Sequence, residues 1–165
     1  MYRRELKKAL IGLSKKFPVV TLLGPRQSGK TTLVREVFVD KPYVNMEMGE
    51  NLALAKDDPK SFMDAYPEGA IFDEIQRAPH LLSYIQVVVD NLDKKGIYIL
   101  TGSHQANLHS AVSQSLAGRT TILKLLPLSF QELRAAHIDQ SMDQLILRGG
   151  YPRIYKEDLP IENGE

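Results

Sequence analysis

The sequence predicts an α/β fold, a three-layer sandwich in which a parallel sheet of roughly five strands is covered by helices on both faces. Short apolar, β-branched runs alternate with stretches of helical periodicity, and the connections between them are short. One apolar run passes directly into a glycine-rich loop and then a helix, the order that phosphate-binding turns require.

Residues 2–16 place Leu6, Ala9, Leu10 and Leu13 at helical spacing, with Arg3, Arg4, Lys7, Lys8, Lys15 and Lys16 mostly on other faces. This predicts a basic amphipathic helix whose charges are either a solvated face or a contact for DNA or RNA. Pro18 breaks it, and residues 19–23 read as a buried strand that stops at Gly24. The helix after the loop carries Leu33, Val34, Val37 and Phe38 on one face and ends near Pro42, before a short strand at residues 43–45. Two small helices are expected between Glu50 and Tyr66, the second opened by Asp58 as N-cap and Pro59 at its first position.

Residues 69–73 form a buried strand ending in a carboxylate, and residues 81–95 a helix capped by Gly96. Residues 97–101 give a fourth strand, residues 108–116 a weak helix and residues 120–126 a fifth strand. Ser129-Phe130-Gln131-Glu132 spells a capping box that opens a helix toward His137. A further helix at residues 141–148 stops at Gly149-Gly150, and no pattern follows.

The 165 residues sit within the range of one domain, and 43% hydrophobic with 25% charged residues is an ordinary globular composition. Lys and Arg number 21 against 20 Asp and Glu, so a net charge of +1 offers no global attraction for nucleic acid or an anionic membrane. The absence of cysteine excludes disulfides and cysteine-based zinc or redox sites. The N-terminus lacks a signal-peptide pattern, and the apolar stretches around Val87 and Leu123 fall short of the about 20 residues that span a bilayer. The expectation is a soluble, cytoplasmic chain without membrane contact. The four histidines, at 80, 104, 109 and 137, show no zinc-binding spacing, with His104 and His109 expected in a loop.

The loop Gly24-Pro25-Arg26-Gln27-Ser28-Gly29-Lys30-Thr31 matches G-x-x-x-x-G-K-S/T in full. Its glycines let successive N–H groups point inward, and the following helix N-terminus adds its dipole, so the loop predicts binding of ATP with Mg²⁺. Lys30 is expected to reach the β- and γ-phosphates, Thr31 to ligate Mg²⁺ and Thr32 to touch the α-phosphate. Arg26 either touches phosphate or faces solvent. The second anchor for the metal is Asp73, at the end of an apolar strand, and Glu74 either polarises an attacking water or salt-bridges to a neighbour such as Arg77. Thr101 and Ser103, at the end of the fourth strand, either report on the γ-phosphate or cap a turn. Arg119, just before the fifth strand, either approaches the γ-phosphate of its own or a neighbouring subunit or is a surface group.

Taken together with Ile71-Phe72-Asp73-Glu74-Ile75-Gln76, Leu100-Thr101-Gly102-Ser103, Leu116-Ala117-Gly118-Arg119, the run from Leu126 to Leu133 and Gly149-Gly150-Tyr151-Pro152, the loop resembles a prokaryotic family of predicted AAA+ ATPases, from about Tyr2 to Pro152. The resemblance implies the additional-strand sheet of P-loop ATPases, with another strand inserted between the P-loop strand and the carboxylate strand. It also implies ATPase activity, Lys30 and Thr31 as Walker A, Asp73 and Glu74 as Walker B, Thr101 or Ser103 as sensor, and Arg119 as arginine finger. Members typically continue into a nuclease-like domain. Residues 1–152 are therefore expected to be the ATPase domain, and residues 153–165 an acidic tail or the start of a further region. Two other readings are a nucleotide-dependent switch that presents surfaces to a protein or DNA partner with little hydrolysis, and a small-molecule kinase, disfavoured by the lack of an arginine-rich lid.

Overall fold

In the strand Val19–Gly24 (β1), every residue is buried, and alternate side chains serve opposite faces of the sheet. Val20 and Leu22 pack on one side with Leu10, Leu33 and Val34, while Val19 and Leu23 join the larger cluster on the other. A strand buried on both sides must be apolar throughout, and this chemistry selects the interior of a parallel sheet. The computed structural model describes residues 2–103, 106–138 and 141–157.

The remaining strands are Tyr43–Asn45 (β2), Ile71–Asp73 (β3), Tyr98–Ser103 (β4) and Thr120–Lys124 (β5). All pair in parallel in the order β2-β3-β4-β1-β5. β4 thus lies between the P-loop strand β1 and the carboxylate strand β3, the inserted-strand arrangement expected from the sequence. Helices Leu6–Ser14 (α1) and Lys30–Val37 (α2) cover one face. Gly49–Asp57 (α3), Pro59–Asp64 (α4), Leu81–Asn91 (α5) and Ala106–Ser115 (α6) cover the other. On that second face Phe72 stacks on Tyr98 with ring centroids 5.5 Å apart, and Phe62 and Tyr66 meet it at 5.5 and 5.7 Å.

The two small helices form as expected, the second with Asp58 as N-cap, accepting from Ser61 N, and Pro59 at its start. The capping box at Ser129 opens Phe130–Ala135 (α7), and Ser141 opens Met142–Arg148 (α8) in the same way. Several boundaries differ from the sequence reading. α1 begins at Leu6 rather than residue 2, because the Arg4 side chain is drawn into the interior and the Glu5 N–H is bound to Glu132. α5 ends at Asn91, four residues before the expected end. The Asn91 side-chain amide donates to the Val87 carbonyl, the acceptor of its own N–H, and Leu92 turns to extended backbone with φ −118° and ψ 116°, so Gly96 lies beyond the helix and does not cap it. β5 stops at Lys124, β4 extends to Ser103, and α6 starts at Ala106 and carries His109, which was expected in a loop, while His104 lies outside the described residues. Pro152–Lys156 (α9) is a short helix where the sequence showed no pattern; residues 158–165 of the expected tail lie outside the described residues.

Arg4 and Glu132 form an ion pair at 3.0 Å with side chains 7% and 6% exposed. Glu132 also closes the capping box through Ser129 N and accepts from Glu5 N. Glu132→Ala would strand a buried guanidinium and remove the box, so a loss of about 3–5 kcal/mol in unfolding free energy is expected from urea denaturation. A loss below about 1 kcal/mol would show that the pair behaves like a solvent-screened surface contact. Among the described residues no helix is long and apolar enough to cross a membrane.

Candidate functional site

The site forms at the C-terminal ends of β1 and β3, where a parallel sheet opens into a crevice. Gly24 is required at the end of β1 by crowding: a Cβ there would lie 2.1 Å from the carbonyl oxygen of Leu125, just after β5. Gly29 has φ of 95°, a left-handed conformation that lets the loop turn directly into α2. Gln27 also has a positive φ, of 61°, and left-handed residues within a tight turn are the geometry in which backbone amides can converge on an anion. With α2 starting at Lys30, a ready anion cradle results.

A cavity of about 1150 Å³ lies over this cradle, lined by Arg26, Gln27, Gly29, Lys30, Thr31, Thr32 and Glu74 among others. Lys30 is only 4% exposed, and its ammonium donates to the carbonyls of Gly24 at 3.0 Å and Pro25 at 2.9 Å. Burial holds its pKa below the usual lysine value; the Glu74 and Asp73 carboxylates oppose that shift and Arg26 adds to it.

Asp73 is 4% exposed and accepts three hydroxyls. Thr31 Oγ1 donates to its Oδ2 at 2.8 Å, Tyr43 donates to the same oxygen at 2.6 Å, and Thr101 donates to Oδ1. The Tyr43 hydroxyl is pushed to a pKa above the usual phenol value by burial, and then by its hydrogen bond to Asp73 and that residue's charge. Glu74 sits in a left-handed conformation with φ of 58° immediately after β3, and its Oε2 accepts from Ser103 Oγ at 3.2 Å and from Gln76 Nε2. No ion pair joins Glu74 to Arg77 among the described residues. No group of three His, Cys, Asp or Glu side chains forms a metal site there either.

The candidate residues from the sequence therefore divide. Arg26, Gln27, Gly29, Lys30, Thr31, Thr32 and Glu74 line one cavity, while Gly24 and Pro25 accept from Lys30, Asp73 from Thr31 and Thr101, and Glu74 from Ser103. Ser28 is fully buried, its hydroxyl oxygen included, and its carbonyl accepts from Arg4 Nη1 at 2.7 Å. Thr101 is fully buried against Asp73 and also accepts from Glu74 N at 3.3 Å, an arrangement that steadies the end of β3.

Of the alternatives for Arg119, the own-chain approach meets a geometric obstacle. It precedes Thr120, which pairs with Val19 at the start of β1, whereas the P-loop follows Gly24 at the strand's other end. Five steps of strand separate them, about 17 Å at a rise of about 3.3 Å per residue. Its guanidinium is paired to Asp90 at 2.5 and 2.8 Å, and that hydrogen bond holds the Asp90 carboxyl below its usual pKa. An approach to the phosphate of its own chain is ruled out by this placement.

Sequence reasoning missed Arg4, Tyr43, Gln76 and the residues of α9. Gly150 O accepts from Leu128 N at 2.6 Å, which brings Pro152 and Arg153 to the rim of the cavity. The signal for α9 was present in the Gly149-Gly150-Tyr151-Pro152 run, a glycine stop followed by a proline at a helix start.

Residues 16–134 match the AAA domain family. Uncharacterized proteins from Mycobacterium bovis and Mycobacterium tuberculosis are each 32% identical over 151 residues, 91% of this chain and 33% of the relative. The chain thus spans about a third of the length of the curated relatives it matches. Among solved structures, the Walker-type ATPase of Pyrococcus abyssi is similar with a TM-score of 0.60 at 16% identity, covering 92% of this chain and 65% of that one. AMPPCP-bound DnaA from Aquifex aeolicus gives 0.59 at 15%, covering 93% and 57%. A STAND protein with a tetratricopeptide repeat sensor from Pyrococcus horikoshii gives 0.59 at 16%, covering 99% and 30%. At these identities the likeness is one of fold.

Proposed function

This chain belongs to the AAA domain family, and from that premise we propose that it binds ATP with Mg²⁺ and hydrolyses it, using Lys30, Thr31, Asp73 and Glu74. The observation that carries this reading is the gathering of a loop with left-handed turns at Gln27 and Gly29, a buried ammonium, a threonine–aspartate oxygen pair and a second carboxylate around one cavity. A neighbour of the same fold was solved with AMPPCP bound, which supports a nucleotide as the occupant.

The backbone amides of the loop and the α2 N-terminus hold the phosphates, and Lys30 leaves the Gly24 and Pro25 carbonyls to meet the β- and γ-phosphate oxygens. The pair Thr31 Oγ1 and Asp73 Oδ2 is a set of hard oxygen donors, too few to cage a cation alone and suited to Mg²⁺ completed by phosphate and water. Bound there, Mg²⁺ supplies positive charge against the developing phosphate charge. Asp73 is kept in register by Tyr43 and Thr101. Glu74 acts as general base, taking a proton from the water that attacks the γ-phosphorus.

Purified chain should bind Mg·ATP by calorimetry and release phosphate; absence of binding would sink the reading. Arg119, about 17 Å from its own loop along the strand, is proposed to serve a neighbouring copy. Phosphate release per chain is then expected to rise with protein concentration, and Arg119→Ala to flatten that rise. The same placement favours, as a second reading, a nucleotide-dependent switch with little hydrolysis by the lone chain. Release that stays near the uncatalysed level at every concentration would select it.

A further inference from the structure

Gln76 is held in a way that a simple surface turn does not require. It lies in the 3₁₀ turn Ile75–Arg77, which the left-handed Glu74 opens, and this reversal brings the side chains of Glu74 and Gln76 together. The Gln76 amide nitrogen donates to Glu74 Oε2, the same oxygen that accepts from Ser103. On the other side, the Gln76 Oε1 is buried and has no hydrogen-bond partner among the described residues. It abuts Gly102, where a Cβ would come within 2.6 Å of it and within 2.4 Å of Leu108 Cδ2. β4 therefore has a glycine where the amide needs room. Exchanging the amide's two ends would set an acceptor against the Glu74 carboxylate, so the orientation is dictated by Glu74. An unpaired buried acceptor is costly, and such groups persist where another demand outweighs the cost.

We infer that Gln76 is a positioning residue for hydrolysis: its amide, together with the Ser103 hydroxyl, fixes Oε2 of Glu74 and leaves Oε1 to receive the proton of the attacking water. The inference rests on Glu74 being the base. In the step so arranged, the water oxygen bonds to the γ-phosphorus and its proton passes to Glu74 Oε1. The bond from the γ-phosphorus to the β,γ-bridging oxygen breaks, and its electron pair leaves with ADP. Gln76 touches neither water nor nucleotide; it sets the direction in which the carboxylate points.

The test is single-turnover phosphate release from radiolabelled ATP with protein in excess, alongside calorimetric ATP affinity. The variants are Gln76→Met, which keeps the length and removes the donor, Gln76→Glu, which also introduces like charge, and each of these combined with Glu74→Gln. Loss of orientation is expected to slow release on the order of ten- to a hundred-fold in Gln76→Met and at least as much in Gln76→Glu, with ATP affinity unchanged. In the Glu74→Gln background neither change should slow release further, a dependence that a merely structural role would not show. Equal release in wild type and Gln76→Met, faster release in the variant, or an additive loss in the double variant would each overturn the inference while leaving Glu74 as base. Full release by Glu74→Gln alone, or none by wild type, would overturn the base reading and this inference together.

Discussion

Lys30→Ala is expected to weaken Mg·ATP binding about ten- to a hundred-fold. The ammonium's contacts to phosphate are charge-assisted and contribute about 1.5–3 kcal/mol, where each 1.4 kcal/mol is a factor of about ten. The loss should be confined to the ligand. The loop's shape is held independently by the Arg4 bond to the Ser28 carbonyl and by the left-handed turn at Gly29, so the empty protein retains its fold. Calorimetric titration with a thermal denaturation control reads both quantities, and an affinity within about threefold of wild type would remove Lys30 from the site. The pH dependence has a definite sign. Burial lowers the Lys30 pKa from 10.5 in the empty protein, and phosphate must raise it again by favouring the charged form. Wild-type affinity should therefore be level on the acid side of that lowered pKa and fall as alkaline pH strips the proton. Lys30→Ala should abolish that alkaline fall.

The parts of the site readable from the sequence are those whose logic is contiguous. The strand, the loop from Gly24 to Thr31 and α2 follow one another along the chain, so a local pattern states their geometry. Asp73 and Glu74 were visible as carboxylates ending an apolar strand, and the parallel alternation then sets them beside the loop. What stayed hidden depends on partners far apart in sequence. Arg4 and Glu132 are 128 residues apart, Tyr43 reaches Asp73 across 30, and Gln76 is accommodated by Gly102 on another strand. In the basic pattern of residues 2–16, Arg4 resembles its solvated neighbours; only the buried carboxylate distinguishes it. The own-chain alternative for Arg119 fails for a different reason. In a parallel sheet every strand begins at the end away from the crevice, so a residue that precedes a strand cannot reach a loop that follows one. That rule was available from the sequence once the sheet was expected to be parallel.

Glu74→Gln is expected to separate holding ATP from cleaving it. General-base catalysis contributes roughly a hundred- to ten-thousand-fold, so phosphate release should fall by that order while ATP affinity stays within about threefold. The substitution keeps the side chain's length and leaves Asp73 untouched, with its three hydroxyl donors and its place beside Thr31. The metal and phosphate contacts should survive. The backbone at 74 favours the same conclusion. A residue with φ of 58° and no glycine's freedom is held against a local preference, and the hydrogen bond from its N–H to Thr101 keeps it there whatever the side chain. An uncharged amide at that position has no basic oxygen with which to take the water's proton, so the loss must appear in the rate of the chemical step. Pre-steady-state release measured with ATP already bound isolates that step from binding. Unchanged release would mean that water is activated without Glu74, and a parallel loss of affinity would mean that Glu74 acts on the phosphates or the metal.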